Sequence, residues 1–337
     1  MPARKPTSHD VARLAGVSQT TVSYVMSGRR SVAPETERRV LDAMTELGYQ
    51  PNSGARALRS NRSNLIAIAV PYHAGADPAA QHRFIVSLAA RARAHDYDLL
   101  LVTADEGTAG LRRVIDTALC DGLLIMEVTQ DDPRTAVVCQ SNTPAVFIGL
   151  PGNDDPVIAV DSDYSFAARE AVNALTHTGH KRITFLRPGD SSLTDLNFLV
   201  RFANAVHEQA ELHGIDLVEH TVDVSYRHIM DSLKTLSPDI GDSLLLAPLV
   251  PVDDWCNALR SRGLIPGQDV SVIASSWDKV RSHSIDQPTH FDMRPEALTA
   301  RAIDLLLERL DSPAPQEPSY HLIAPAFHEG TTLRQPD

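Results

Sequence analysis

The chain has 337 residues, 43% of them hydrophobic, and a formal net charge of −12. That length exceeds one typical domain, and the apolar content supplies a sizeable core. No apolar run approaches the ~18 residues of a membrane span, and neither Cys120, Cys139 and Cys256 nor the His177/His180 pair has a spacing that predicts a disulfide, metal or cofactor site.

The first sixty residues carry the strongest pattern. Thr7 is placed to cap a helix, with Asp10 three residues on in a variant of the capping box. Val11, Leu14 and Ala15 recur at helical spacing, and Gly16 supplies the stop. Ser18 suits the N-cap of a second helix, about Gln19 to Met26, with Val22 and Val25 turned inward. Gln19, Thr20, Ser23 and Tyr24 are left on its outer face. Pro34 opens a third helix whose stripe is Val40, Leu41, Met44 and Leu47, ended by Gly48. A small three-helix bundle would satisfy this pattern. The AGVS turn and the short polar side chains of the second helix instead point to a helix-turn-helix unit that enters a DNA major groove. Charge agrees: residues 1–62 hold ten Lys or Arg against five Asp or Glu, whereas the remainder holds 21 against 38. A basic segment on an acidic body suits contact with phosphates.

The segments DVARLAGVSQTTVSYVMSG and TERRVLDAMTELGYQPNSGARAL resemble the headpiece of the LacI/GalR family of bacterial transcription regulators. The resemblance weakens after residue 65 but runs along the whole chain. It implies that Gln19, Thr20 and Tyr24 read bases: Gln19 pairs with adenine, Thr20 meets a thymine methyl and Tyr24 offers a hydroxyl. It assigns Thr7, Ser18, Ser23, Ser27 and Thr36 to phosphate oxygens, which positions the protein without reading sequence. It makes residues 51–63 a hinge helix and linker. There Asn52, Ala55 and Arg59 lie in or flank the minor groove, and Leu58 wedges into the central base step of a pseudo-palindromic operator. The domains implied are 1–50, 51–63 and a two-lobed body, 64–337.

In the body, apolar strands alternate with helices. Strands are expected at Leu65–Val70, Tyr97–Val102, Asp121–Met126, Ala145–Ile148 and Val157–Val160. The alternation restarts after a helix from Tyr164 to Thr178. Strands follow at Arg182–Leu186, Asp216–Val222, Ser243–Ala247 and Val270–Ala274, with helices at Asn197–His213, His228–Leu236 and Val252–Arg262 between them. The fold class expected is an all-α helix-turn-helix headpiece on an α/β body of two doubly wound, parallel-sheet lobes. Ligands of such sheets bind at the strands' carboxyl ends, hence between the lobes. The resemblance adds a periplasmic-binding-protein-like body that forms a homodimer.

By resemblance, the effector site would include Arg201, Asp163, Gln81, Ser276 and Trp277. Several family features are altered. DPAAQ, residues 77–81, lacks the usual aromatic platform, Pro248-Leu249 stands for Asn-Asp, Ser276 for an aspartate and Gly330 for an arginine. Trp277 could stack on a ligand or fill space. Two readings stay open: a repressor gated by a sugar-like small molecule, or a regulator that has lost such sensing or answers to a protein. An enzyme is disfavoured, because neither a phosphate-binding glycine loop nor a nucleophile elbow is found. The first helix begins within seven residues, without a secretory leader, so a bacterial cytoplasmic protein, on the nucleoid when bound, is expected.

Overall fold

The structure is a computed structural model that describes residues 6–27, 30–49, 62–70, 78–103, 107–152, 155–191, 193–223, 226–236, 242–279, 282, 284–312 and 317–334. It divides into two compact units, Met1–Asn64 and Leu65–Asp337.

The first unit holds α1 (Ser8–Ala15), α2 (Gln19–Ser27) and α3 (Pro34–Leu47). The cap chemistry follows the local sequence. Thr7 and Asp10 form the capping box, and Gly16 and Gly48 close α1 and α3 in the left-handed region, with φ of 64° and 59°. The core is Val11, Ala12, Ala15, Val22, Val40 and Ala43. Two expected core residues are not in it: Leu14 is 45% and Leu41 49% exposed. At about 100° per residue, Leu14 falls to one side of the stripe Val11–Ala12–Ala15, and Leu41 to one side of Val40–Ala43–Met44. The small residues Ala12 and Ala43 take the inward places.

The second unit contains two six-stranded sheets. In its first lobe, β1 (Leu65–Val70), β2 (Asp98–Thr103), β3 (Gly122–Met126), β4 (Ala145–Ile148) and β5 (Ile158–Ser162) alternate with α4 (Pro78–Arg93), α5 (Gly107–Asp116) and α6 (Pro133–Cys139). After α7 (Tyr164–His177) the second lobe comprises β6 (Arg182–Pro188), α8 (Asn197–His213), β7 (Asp216–Val222), α9 (Tyr226–Leu236), β8 (Ser243–Leu246), α10 (Val252–Ser261), β9 (Ser271–Ala274) and β10 (Thr289–Asp292). The chain then returns. α11 (Pro295–Asp311) packs on the first sheet with Leu298, Ala302, Ile303, Leu305 and Leu306. β11 (Ser319–Ile323) joins that sheet beside β5, and β12 (Ala326–His328) joins the second sheet, antiparallel to β10. The sheet orders are β11-β5-β4-β3-β1-β2 and β12-β10-β9-β8-β6-β7, parallel except at β12.

The two doubly wound lobes expected from the sequence are therefore present, and the chain crosses between them three times. The last two crossings come from elements beyond residue 274, whose strands are short or carry polar residues and so give a weak apolar signal. The crossings are bonded to one another. Ser162 Oγ donates to the Met293 carbonyl at 2.8 Å, and Asp163 N to the Ile323 carbonyl at 2.9 Å.

Candidate DNA interface and interlobe cleft

In the helix-turn-helix unit, Gln19 and Thr20 are exposed at the start of α2, and Ser23 and Tyr24 are half-buried one turn on. The Gln19 amide is already oriented: its Nε2 donates to Ser8 Oγ at 2.8 Å. That bond uses one of two N–H donors, so Oε1 and the second N–H remain for a base edge. The Arg30 guanidinium carbon lies 5.8 Å from the Tyr24 ring centroid, within cation–π range. Ser18 Oγ accepts from Thr21 N at 3.0 Å and lies 2.9 Å from Thr21 Oγ1, so Ser18 caps α2. Thr7 Oγ1 donates to Asp10 Oδ2 at 2.7 Å, while Thr7 N donates to the same oxygen at 2.9 Å. Thr36 is half-buried in the first turn of α3. Asn52, Ala55, Leu58, Arg59 and the side chain of Ser27 lie outside the described residues.

Between the lobes, polar side chains from both sides meet. Arg201, on α8 of the second lobe, places Nη1 2.7 Å from Asp161 Oδ2 on β5 of the first. Asp161 also accepts from Ser162 N at 2.8 Å and Leu150 N at 3.4 Å. Burial pushes its carboxyl up to about 6, against the opposing pull of the Arg201 charge and the backbone donors. Beside this pair, Asn197 Nδ2 donates to the Leu150 carbonyl at 2.6 Å, and Gln130 Nε2 to Asn197 Oδ1 at 2.5 Å. Thr129 and Leu196 form an antiparallel bridge between the lobes. A further contact joins Arg83 of α4 to Asp278 beyond β9 at 2.6 Å.

The expected cleft residues fall in different surroundings. Arg201 is at the lobe junction. Asp163 is the N-cap of α7, its Oδ1 accepting from Phe166 N at 2.9 Å, and the carboxylate that reaches Arg201 is Asp161. Strand β5 runs two residues further than the apolar pattern suggested and so includes it. Gln81 Nε2 donates to Glu127 Oε1 at 2.9 Å beyond β3. Ser276 is exposed. The Trp277 indole is held by Asp253, with Nε1 2.9 Å from Oδ1, and packs edge-on against His290 at 5.1 Å. Leu249, at a positive φ of 71°, packs with Leu193, Leu196, Leu199 and Phe198 in an apolar cluster. Phe198 in turn stacks obliquely on Tyr164 at 5.0 Å. Gly330 approaches the Gln287 carbonyl so closely that a Cβ would clash with that backbone.

Sequence reasoning missed Asp161, Asn197, Gln130 and Glu127. One signal was available: an aspartate inside the buried run IAVDS demands a partner. His180, by contrast, is structural, buried with Nε2 2.9 Å from Ser271 Oγ. Among the described residues, no group of His, Cys, Asp or Glu could hold a metal ion, and no helix is long and apolar enough to cross a membrane.

A helix-turn-helix unit together with a two-lobed α/β body defines a class of DNA-binding regulator. Residues 7–52 match the family described as bacterial regulatory proteins, lacI family. The chain is 31% identical to the HTH-type transcriptional regulator AglR of Rhizobium meliloti over 278 residues, 78% of this chain and 76% of AglR. It is 32% identical to catabolite control protein A of Streptococcus mutans over 297 residues, 84% of this chain and 87% of that relative. The fold is shared with the Lac repressor dimer bound to operator and the anti-inducer ONPF, with a TM-score of 0.82, 23% identity and 98% and 100% of the two chains covered. The chain belongs to the lacI family of DNA-binding transcription regulators and is not an enzyme.

Proposed function

We propose that the chain is a repressor that binds a pseudo-palindromic operator as a homodimer and is gated by a small molecule between its lobes. Gln19, Thr20 and Tyr24 read bases; Thr7, Ser18, Ser23, Ser27 and Thr36 hold phosphates. Residues 51–63 form the hinge, with Leu58 as wedge and Asn52, Ala55 and Arg59 along the minor groove. The observation that carries the DNA part is the helix α2, which turns Val22 inward and leaves Gln19 and Thr20 exposed at its start. Gating finds support in the relative CelR, whose solved structure is described as a cellobiose complex. It also finds support in the polar contacts between the lobes, which a ligand could bias toward one arrangement. In this reading Arg201, Gln81, Ser276, Trp277 and Asp163 surround or support the effector.

Selection of bound duplexes from a random pool tests the first part. A palindrome with a flexible pyrimidine–purine step at its centre is expected; enrichment of half-sites alone would remove the dimeric, wedged arrangement. A second reading, regulation without a small molecule, is favoured by the occupation of Arg201 by Asp161 and of the 249 position by apolar packing. A ligand screen on the operator-bound protein separates the two: a ligand that shifts the melting point and releases or tightens DNA supports gating.

A further inference from the structure

We propose that Arg30 is a specificity-determining residue of the DNA interface, its guanidinium seated on the Tyr24 ring and reading a guanine in each operator half-site. The proposal rests on the reading of α2 as the base-reading helix. That helix, QTTVSYVMS, carries no charged residue. Gln19, Thr20, Ser23 and Tyr24 offer the major groove only amide and hydroxyl groups. Guanine presents two acceptors there, N7 and O6, and the commonest side chain to meet both at once is an arginine. In α1, Arg13 is bonded to Asp10 at 2.7 Å.

Arg30 supplies the cation that α2 lacks. It is exposed, and its guanidinium carbon lies 5.8 Å from the Tyr24 ring centroid. Tyr24 follows Thr20 by four residues, so the two share a side of the helix, away from the buried Val22. The guanidinium thus rests on a side chain of the recognition side, although Arg30 itself lies beyond the end of α2. The ring face attracts the charge. It also narrows the positions open to a long side chain, so less freedom is lost when a base is bound. Attraction to a ring consumes none of the five N–H donors, and two of them suffice for N7 and O6. The seat favours a base over a phosphate. Phosphates line the rims of the groove and are met alike on every sequence, whereas Tyr24 is assigned to its floor. In this arrangement Tyr24 is a platform as much as a reader.

The test is selection of bound duplexes from a random pool by the full chain and its variants, followed by titration of the selected operator and an unrelated duplex. The unaltered protein is expected to enrich one G·C pair at a fixed position of each half-site. Arg30→Ala should lose that preference and keep the others. It should bind the operator roughly tenfold more weakly, with less than about a threefold change on the unrelated duplex. Tyr24→Phe keeps the platform and should retain the G·C preference, whereas Tyr24→Leu should weaken it. Equal losses on both duplexes in Arg30→Ala, with an unchanged sequence profile, would make Arg30 a phosphate contact and overturn the proposal. Should Arg30→Ala not fold, Arg30→Lys decides, because lysine keeps the charge but not the planar fork. A reduced G·C preference then upholds the proposal, and an unchanged profile refutes it. Gln19→Ala in the same selection separates this proposal from the reading beneath it. If Gln19→Ala alters a position and Arg30→Ala alters none, only the role of Arg30 falls. If neither of them nor Tyr24→Leu alters any position, α2 does not read bases and both fall.

Discussion

The helix-turn-helix unit and the interlobe cleft solve opposite problems. In the first, the groups assigned to recognition are short, polar and held by neighbours close in sequence: Thr7 by Asp10, Ser18 by Thr21, Gln19 by Ser8. They sit on a core of six small buried residues and need little from the rest of the molecule. In the second, the charged groups come from different lobes and pair across long stretches of chain, 40 residues for Arg201 with Asp161 and 67 for Gln130 with Asn197. Recognition by the first can change residue by residue. In the proposed function, recognition by the second would be coupled to how the lobes meet, which is the property a two-state regulator needs.

The sharpest way to break this contrast is Arg201→Ala. It leaves Asp161 buried and without its ion partner, and the expected cost is ~3–5 kcal/mol in the stability of the body. The helix-turn-helix unit should melt as before. The deficit should shrink near pH 5, where Asp161, already pushed up to about 6, takes up a proton. Calorimetric scans at two pH values check this. A loss that is equal at both would mean that the side chain contributes packing and not charge.

Glu127→Gln probes the same cleft with a smaller effect. Burial pushes the Glu127 carboxyl from an ordinary 4.5 up to about 7, against the lowering influence of the Gln81 hydrogen bond and the Arg134 charge. A folded-state value above the unfolded one gives a stabilisation that is complete below about pH 4.5 and lost as pH rises through about 7. The glutamine keeps an acceptor for Gln81 and carries no proton to lose. The variant should therefore gain on the unaltered protein by up to ~1.4 kcal/mol per pH unit across that window. Urea denaturation at several pH values reads the difference, and a flat difference would mean that the carboxylate is better solvated than its position beyond β3 implies.

Legibility in sequence followed the same division. The caps Thr7 and Ser18 and the stops Gly16 and Gly48 were readable, because each acts within a few residues. So were the parallel strands up to β9, most of which carry a run of apolar residues. The inward places of Ala12 and Ala43 were not, because periodicity favours the larger Leu14 and Leu41 that the helix geometry turns outward. The return of the chain through α11 and β11 left no strong signal. Strand β11 is an edge strand with Tyr320 and Leu322 on its exposed side, so it lacks the continuous apolar run of a central strand. The two aspartates near the crossover show most directly what geometry adds. Resemblance places an acid near the crossover, but only the backbone decides that Asp163 caps α7 while Asp161, two residues earlier, turns toward Arg201.

The smallest expected effect is also the one that separates two roles of a single side chain. Thr7 is assigned to a phosphate by resemblance, yet its hydroxyl proton is directed at Asp10 Oδ2 at 2.7 Å and its oxygen accepts from Asp10 N at 3.4 Å. Thr7→Ala removes the cap and should cost the helix unit about 1 kcal/mol. While that unit stays folded, a hydroxyl occupied by the cap contributes little to DNA, so operator affinity should fall by less than about twofold, equivalent to ~0.4 kcal/mol. Thr7→Ser keeps both donor and acceptor and should restore the melting point. A tenfold loss of affinity in a folded Thr7→Ala protein, with the same loss on nonspecific duplex, would show that the hydroxyl leaves Asp10 for a phosphate on binding, since such contacts position the protein on any sequence. The capping box would then be a resting arrangement that DNA replaces.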